Sequence, residues 1–365
     1  MNRFVLIVAL AITVLLGQVT SARAQDTTRV LTGELGGSPY RMQVPPRWNH
    51  NLVLFDHWYL PRGTPWSPMS KALAAVFLDR GFAVAEPGYS RQGWAVEEGL
   101  HDTEVLRRHF ATCCGRPDTT FIVGFSMGGA LALAAVERYP KAYAGALPVG
   151  GPLTSGLTFF RDQFFDMLVT FDALFRRHLP REYRPVLEAR ELPEAVVDAA
   201  LQADSALAQR FGERWTVRRA DLPGNLSFNL LAYRELVDRA GGNPIDNRNT
   251  IYVGFGDDRA LNDVVMRRAA EPRALAYVLR HTTPSGVLED PVLALHTTYD
   301  PDVPQRFASG YQEIASCAGS ERLFVLKRVE ADGHCNVSLA QLGKAFDELR
   351  RWAATGVRPE AGVLR

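Results

Sequence analysis

Gly124-Phe125-Ser126-Met127-Gly128, followed by Gly129, is the stretch whose reading decides the fold. It has the pattern G-x-S-x-G. Before it runs Thr119-Thr120-Phe121-Ile122-Val123, a short apolar, β-branched run bounded by Pro117-Asp118. After it runs Ala130 to Tyr139, rich in helix formers and stopped by Pro140. The serine is therefore expected on a sharp strand-to-helix turn, the setting of a nucleophile elbow. Glycines suit such a turn because side chains there collide with the neighbouring strand and helix. The helix N-terminus also directs partial positive charge to where a tetrahedral oxyanion would form.

Working outward, short apolar runs read as buried strands at Asn51–Asp56, Phe82–Ala85, Thr119–Val123, Ala144–Val149, Pro291–His296 and Leu323–Val329. Helical patterns lie between them at Ser70–Asp79, Val96–Thr112, Met127–Tyr139, Gln305–Cys317 and Val337–Ala353. Strands alternating with helices predict an α/β protein: a mostly parallel central sheet with helices on both faces. Arg29–Glu34 and Tyr40–Val44 are expected to add an antiparallel edge. The alternation stops near Gly151 and resumes near Leu288. The stretch between is rich in helix signals, with Phe160, Phe164, Leu168, Phe171 and Phe175 at helical spacing. It reads as an inserted helical cap over 152–287, dividing a core of 25–151 and 288–355. Those aromatics are assigned to the core of the cap rather than to an acyl pocket. Residues 356–365 read as a frayed tail.

A serine hydroxyl is a weak nucleophile at neutral pH and needs a base within hydrogen-bond reach, itself oriented by an acid. In a strand–elbow–helix architecture the chain order is serine, acid, histidine. Asp300 follows the Pro291–His296 strand, at the carboxyl end where parallel sheets place their sites. Asp302 is its close competitor. His334, in the loop after the last strand and before the final helix, is the base. The oxyanion hole is assigned to the backbone N–H of Met127 and of Trp58, with Tyr59 as the alternative to Trp58. His57, Tyr59, Tyr89 and Trp94 are expected to line the substrate pocket.

The elbow Gly124–Gly129, the loop around Asp300 and Gly333-His334-Cys335 occur in that order, and through them the chain resembles the α/β-hydrolase superfamily over roughly 51–151 and 288–353. More closely it is similar to secreted bacterial serine hydrolases with a helical cap after the sixth core strand. The segments GYSRQGWAVE (88–97), GNPIDN (242–247) and LHTTYDP (295–301) carry that likeness. The resemblance implies an α/β-hydrolase fold and the chemistry of carboxylesterases or, more loosely, of prolyl-peptidase relatives; the fold leaves the substrate open. It also implies catalytic Ser126, Asp300 and His334. Two departures stand out. Many members carry His-Gly where this chain has His57-Trp58. Feruloyl-esterase and tannase relatives carry a cysteine before the nucleophile, where Phe125 stands here.

Composition sets the remaining bounds. The chain has 365 residues, is 47% hydrophobic and 22% charged, and carries a net charge of +1. Such a balance suits a protein with a large core and offers nothing that would attract nucleic acid. Asn2-Arg3, the apolar run Phe4–Leu16 and Ala22-Arg23-Ala24 read as a signal peptide over 1–24, cleaved near Ala24. The expected location is periplasmic or secreted, with no membrane association after cleavage. Of the four cysteines, Cys317 and Cys335 are the preferred disulfide pair; Cys113-Cys114 form a vicinal bridge or stay reduced. No cofactor or metal is expected: Asp257-Asp258 with Asn262-Asp263 matches no calcium-loop spacing. The expected partner is a small-molecule ester, with a peptide or aminoacyl amide as the alternative.

Overall fold

The computed structural model describes residues 27–364; the expected signal segment 1–24 lies outside them. The first two strands, β1 (Arg29–Leu35) and β2 (Ser38–Val44), form an antiparallel hairpin. Next come β3 (Asn51–Asp56), α1 (Lys71–Leu78), β4 (Ala83–Pro87), α2 (Val96–Cys113), β5 (Thr119–Phe125), α3 (Met127–Arg138) and β6 (Gly145–Val149). After a long helical stretch, β7 (Val292–Tyr299), the short helices α11 (Arg306–Ser309) and α12 (Tyr311–Cys317), β8 (Phe324–Asp332), α13 (Leu339–Thr355) and β9 (Gly362–Val363) complete the sheet. The strand order is β1-β2-β4-β3-β5-β6-β7-β8-β9, parallel from β4 onward. That order, with the β3/β4 exchange and a serine turn after β5, is the α/β-hydrolase arrangement.

Period-two alternation divides the core between the two faces of the sheet. Val53, Phe55, Phe121, Val123, Leu293 and Leu295 pack with Phe77 of α1 and with Phe346 and Trp352 of α13. Leu52, Leu54, Ala83, Ala85 and Ile122 pack on the opposite side with Leu106 and Phe110 of α2 and Leu131 of α3. Local signals set the helix ends. Ser70 caps α1 through the Leu73 N–H, and Ser338 and Gln341 form a reciprocal capping box on α13, which stops at Gly356 in the left-handed region.

Two expectations change here. The single helix over 305–317 is two pieces, α11 and α12, joined at Gly310, where a β-carbon would lie 2.6 Å from Thr154 Cγ2. The tail is not frayed. Gly362 and Val363 pair with Lys327 and Arg328, the Leu364 N–H donates to the Arg328 carbonyl at 2.8 Å, and Leu364 is buried. The open edge of β8 and an apolar residue within reach of it are sufficient cause.

Between β6 and β7 the chain is helical. It comprises α4 (Gly156–Phe159) continuing through a π-helical turn, α5 (Asp166–Phe175), α6 (Glu194–Gln202), α7 (Ser205–Trp215), α8 (Leu222–Ala240), α9 (Asp258–Val264) and α10 (Pro272–Thr282). Phe160, Phe164, Leu168, Phe171 and Phe175 are all buried, so this layer has an aromatic interior of its own. Among the described residues no helix is long and apolar enough to cross a membrane.

Candidate active site

Ser126 stands between β5 and α3 with φ 56° and ψ −120°, in a region that residues with a β-carbon rarely adopt. The turn is held because its neighbours are glycines. A β-carbon on Gly124 would lie 1.9 Å from the Gly128 carbonyl oxygen, and one on Gly128 would lie 2.1 Å from that of Asp56. The second clash also shows that the elbow is packed against the end of β3, beside the His57-Trp58 loop. The Ser126 N–H donates to the Val149 carbonyl at 2.8 Å, tying the turn to β6.

The three residues picked out by chain order meet at the carboxyl ends of the strands. The Ser126 hydroxyl lies 2.7 Å from His334 Nε2, and His334 Nδ1 donates to Asp300 Oδ2 at 2.8 Å. Asp300 is almost fully buried, and its other oxygen accepts from the N–H groups of Asp302 and Val303 at 3.0 and 2.9 Å. The His334 loop is anchored to β7: the Gly333 N–H donates to the Tyr299 carbonyl, and the Thr297 hydroxyl to the Gly333 carbonyl. Between the two acids left open by the sequence, Asp300 is the one that touches His334. Asp302 turns toward the cavity and accepts from Asn225 Nδ2 at 3.3 Å.

Burial works against a charged His334 ring, but the Cys335 sulfur and the Asp300 carboxylate, both against it, hold its pKa well above the ordinary imidazole value. A second histidine, His296, is buried 3.9 Å from Asp300 Oδ2, and burial keeps its pKa below the usual value. Asp300, Asp302 and His334 offer ligand atoms within 4.8 Å of one another. The Asp300 oxygens and His334 Nδ1 are already hydrogen-bonded to one another and to the Asp302 and Val303 N–H groups.

Met127 opens α3, and its N–H is one of those that helix geometry leaves without an intrahelical acceptor. The Trp58 backbone is fixed by the His57 ring, whose Nδ1 donates to the Trp58 carbonyl at 2.6 Å. Burial pushes His57 down to about 4, so the ring is neutral. Beneath this loop lies Asp56, fully buried, bonded to the Thr103 hydroxyl and pushed up by burial to about 7.

The site opens into a cavity of about 980 Å³. Trp58, Tyr59 and Trp94 line it. His57 and Tyr89 do not. They stack on each other, ring centroids 4.0 Å apart, and are buried below the loop, with the Tyr89 hydroxyl donating to the His57 carbonyl at 3.3 Å. The remaining wall comes from the helical insertion: Phe159, Phe164 and Phe228, with Glu194, Asp198 and Asp221. Phe164 thus serves both the interior of the insertion and the cavity. Phe159, Phe228, Asp198 and Asp221 escaped the sequence reading because nothing in a helical stretch without strand register says which face meets the sheet.

The expected Cys317–Cys335 disulfide is absent, and all four cysteines are free. Cys335 turns inward, its thiol 3.5 Å from the Val149 carbonyl and 3.7 Å from His334 Nε2, whereas Cys317 is exposed at the end of α12. Cys113 and Cys114 have their sulfurs 3.4 Å apart, unbonded.

No protein-family profile matches the chain, and no curated protein matches it. Among solved structures it is similar to Est1E from Butyrivibrio proteoclasticus, at 12% identity over 89% of this chain and 98% of that one, with a TM-score of 0.41. It is similar to an esterase from Aspergillus oryzae at 11% identity, covering 91% and 80% of the two chains, with a TM-score of 0.49. It is also similar to the Pyrococcus horikoshii acylaminoacyl peptidase at 10% identity and a TM-score of 0.49, over 89% of this chain but 41% of that one.

Proposed function

We propose that the protein is a serine hydrolase that cleaves carboxylic esters through an acyl-enzyme on Ser126. The observation that carries this is the continuous hydrogen-bond chain from Ser126 through His334 to buried Asp300, open on one side to a cavity walled by both aromatic and acidic side chains. The Ser126 oxygen attacks the ester carbonyl as His334 Nε2 takes its proton. Asp300 keeps the Nδ1 proton in place and stabilises the imidazolium. The N–H groups of Met127 and Trp58 receive the oxyanion. Collapse expels the alcohol, protonated by His334, and a water deprotonated by the same ring releases the acid. In this reading the chain is exported through its N-terminal signal segment and meets a small-molecule ester outside the cytoplasm.

A second reading rests on the charge of the cavity wall. Its carboxylates are Glu194, Asp198, Asp221 and Asp302, and among the described residues no lysine or arginine lines it. Arg219 pairs with Asp198 at 2.8 Å, and Tyr299 donates to Asp221. Among the described residues Glu194 and Asp302 form no ion pair with a lysine or arginine, which suits a substrate bearing an amine and so an aminoacyl amide. Glu188, six residues before Glu194, pairs with Arg268. Hydrolysis of a p-nitrophenyl ester series beside aminoacyl p-nitroanilides separates the two readings. Ester turnover with a chain-length optimum is expected; turnover of anilides alone would replace the ester reading with the peptidase one.

The general base must be neutral to act, and His334 is held above the ordinary value. kcat/KM is therefore expected to rise with pH along a limb whose midpoint lies above 6.5, the usual imidazole value. A limb whose midpoint lies below 6.5 contradicts this assignment.

A further inference from the structure

Four residues of α8, Asn225, Phe228, Ala232 and Glu235, recur at spacings of three, four and three and so share one face of that helix. The first three line the cavity. At one end Asn225 Nδ2 donates to the Pro301 carbonyl at 2.7 Å, in the loop that carries Asp300. At the other end Glu235, 6% exposed, reaches two loops of the core. Its Oε2 accepts from the Tyr59 hydroxyl at 2.5 Å, and its Oε1 from the Trp94 N–H at 3.0 Å. Gly93 leaves room for that carboxylate: a β-carbon there would lie 1.4 Å from Oε1. Arg62 and Arg239 approach the same oxygen at 3.6 and 3.8 Å, so the buried charge is compensated.

From this arrangement we infer that Glu235 is a positioning residue for the oxyanion hole. The inference rests on the hydrolase reading above. Among the described residues, three hydrogen bonds hold residues 58–60, which carry the Trp58 N–H. His57 Nδ1 holds the Trp58 carbonyl, the Gly93 N–H holds the Leu60 carbonyl at 2.7 Å, and Glu235 holds the Tyr59 hydroxyl. The third is the only one of the three supplied by the helical insertion. The insertion therefore does more than roof the cavity: one helix face sets both the acid loop and the oxyanion loop. Glu235 touches neither the ester nor the reacting atoms; it acts through Tyr59 and the backbone beside it.

The test is kinetic, on the full chain, with p-nitrophenyl butyrate as substrate and an alkyl trifluoromethyl ketone as the probe that forms an oxyanion on Ser126. Glu235→Ala should lower kcat by about 10- to 100-fold with KM changed by less than about threefold, as a misplaced rather than a missing donor would. Affinity for the ketone should fall in the same proportion as kcat/KM. Tyr59→Phe should reproduce the loss, and the double variant should be no worse than either single one, because both break the same link. Glu235→Gln, which keeps an acceptor for the Trp94 N–H and a partner for Tyr59, should recover most of the activity. If Glu235→Ala fails to fold, Tyr59→Phe decides. Unchanged kcat, a loss confined to KM, unchanged ketone affinity, or a lowered Tm with full activity overturns the inference while leaving the hydrolase reading intact. A wild-type protein that neither turns over ester or amide nor binds the ketone overturns both together.

Discussion

Ser126→Ala is expected to lower kcat on the best ester by about 10⁶-fold, leaving only the residual catalysis of cavity and oxyanion donors. The size of the effect follows from the geometry. The hydroxyl is the atom that forms the covalent bond, and among the described residues no other hydroxyl contacts His334 Nε2. The thiol of Cys335, 3.7 Å from the same nitrogen, points to the Val149 carbonyl and cannot take over the attack. The substitution should leave the fold intact, since the Ser126 side chain makes no contact that the turn needs. The turn is set by the glycine packing and by the Ser126 N–H bond to Val149. Alanine is strained at φ 56° just as serine is, so thermal stability should be nearly unchanged. Steady-state kinetics and a melting curve on the same preparation check both halves. Retained turnover would remove Ser126 from the chemistry.

Asp300→Asn should cost about 10⁴-fold in kcat, although it replaces one atom. Asp300 Oδ1 accepts two backbone N–H groups, from Asp302 and Val303. The single oxygen of asparagine must stay with those donors, which turns its NH₂ toward His334 Nδ1. That nitrogen is then forced to accept, the proton moves to Nε2, and the ring presents a donor to Ser126 where it must present an acceptor. Asp302→Asn is expected to cost far less, because Asp302 holds no proton of His334 and its contact is with Asn225. A larger loss in Asp302→Asn than in Asp300→Asn would reverse the assignment of the acid.

The parts of this site that could be read from sequence are those where backbone geometry restricts the residue type. Gly124 and Gly128 are glycine because carbonyl groups occupy the space of a β-carbon, and the flanking strand and helix have clear periodicity. Asp300 and His334 could be picked out because each lies in a loop just after a strand, at the end where the sheet opens. The choice between Asp300 and Asp302 could not be made, since both sit in one Pro-rich turn and only the side-chain direction separates them. The outward reading of His57 and Tyr89 failed for a similar reason. An aromatic pair beside a strand end stacks inward as readily as outward, and here the Tyr89 hydroxyl finds the His57 carbonyl below the loop. Asn225 and Glu235 left no signal, because their partners lie 76 and 176 residues away in sequence, in loops docked by the insertion. The expected Cys317–Cys335 bridge would join the end of one helix to the loop after the next strand, while the direction of the Cys335 side chain follows from its φ of 53° and its packing on Gly150.

The central claim is that Ser126 is an activated nucleophile. It is tested most directly by exposing the full-length protein to a fluorophosphonate and locating the adduct by peptide mass spectrometry. The account predicts one adduct per chain, on the peptide that contains Ser126, absent in Ser126→Ala and slowed strongly in His334→Ala. A protein that stays unlabelled, or that is labelled fully at another residue with Ser126 untouched, would contradict it.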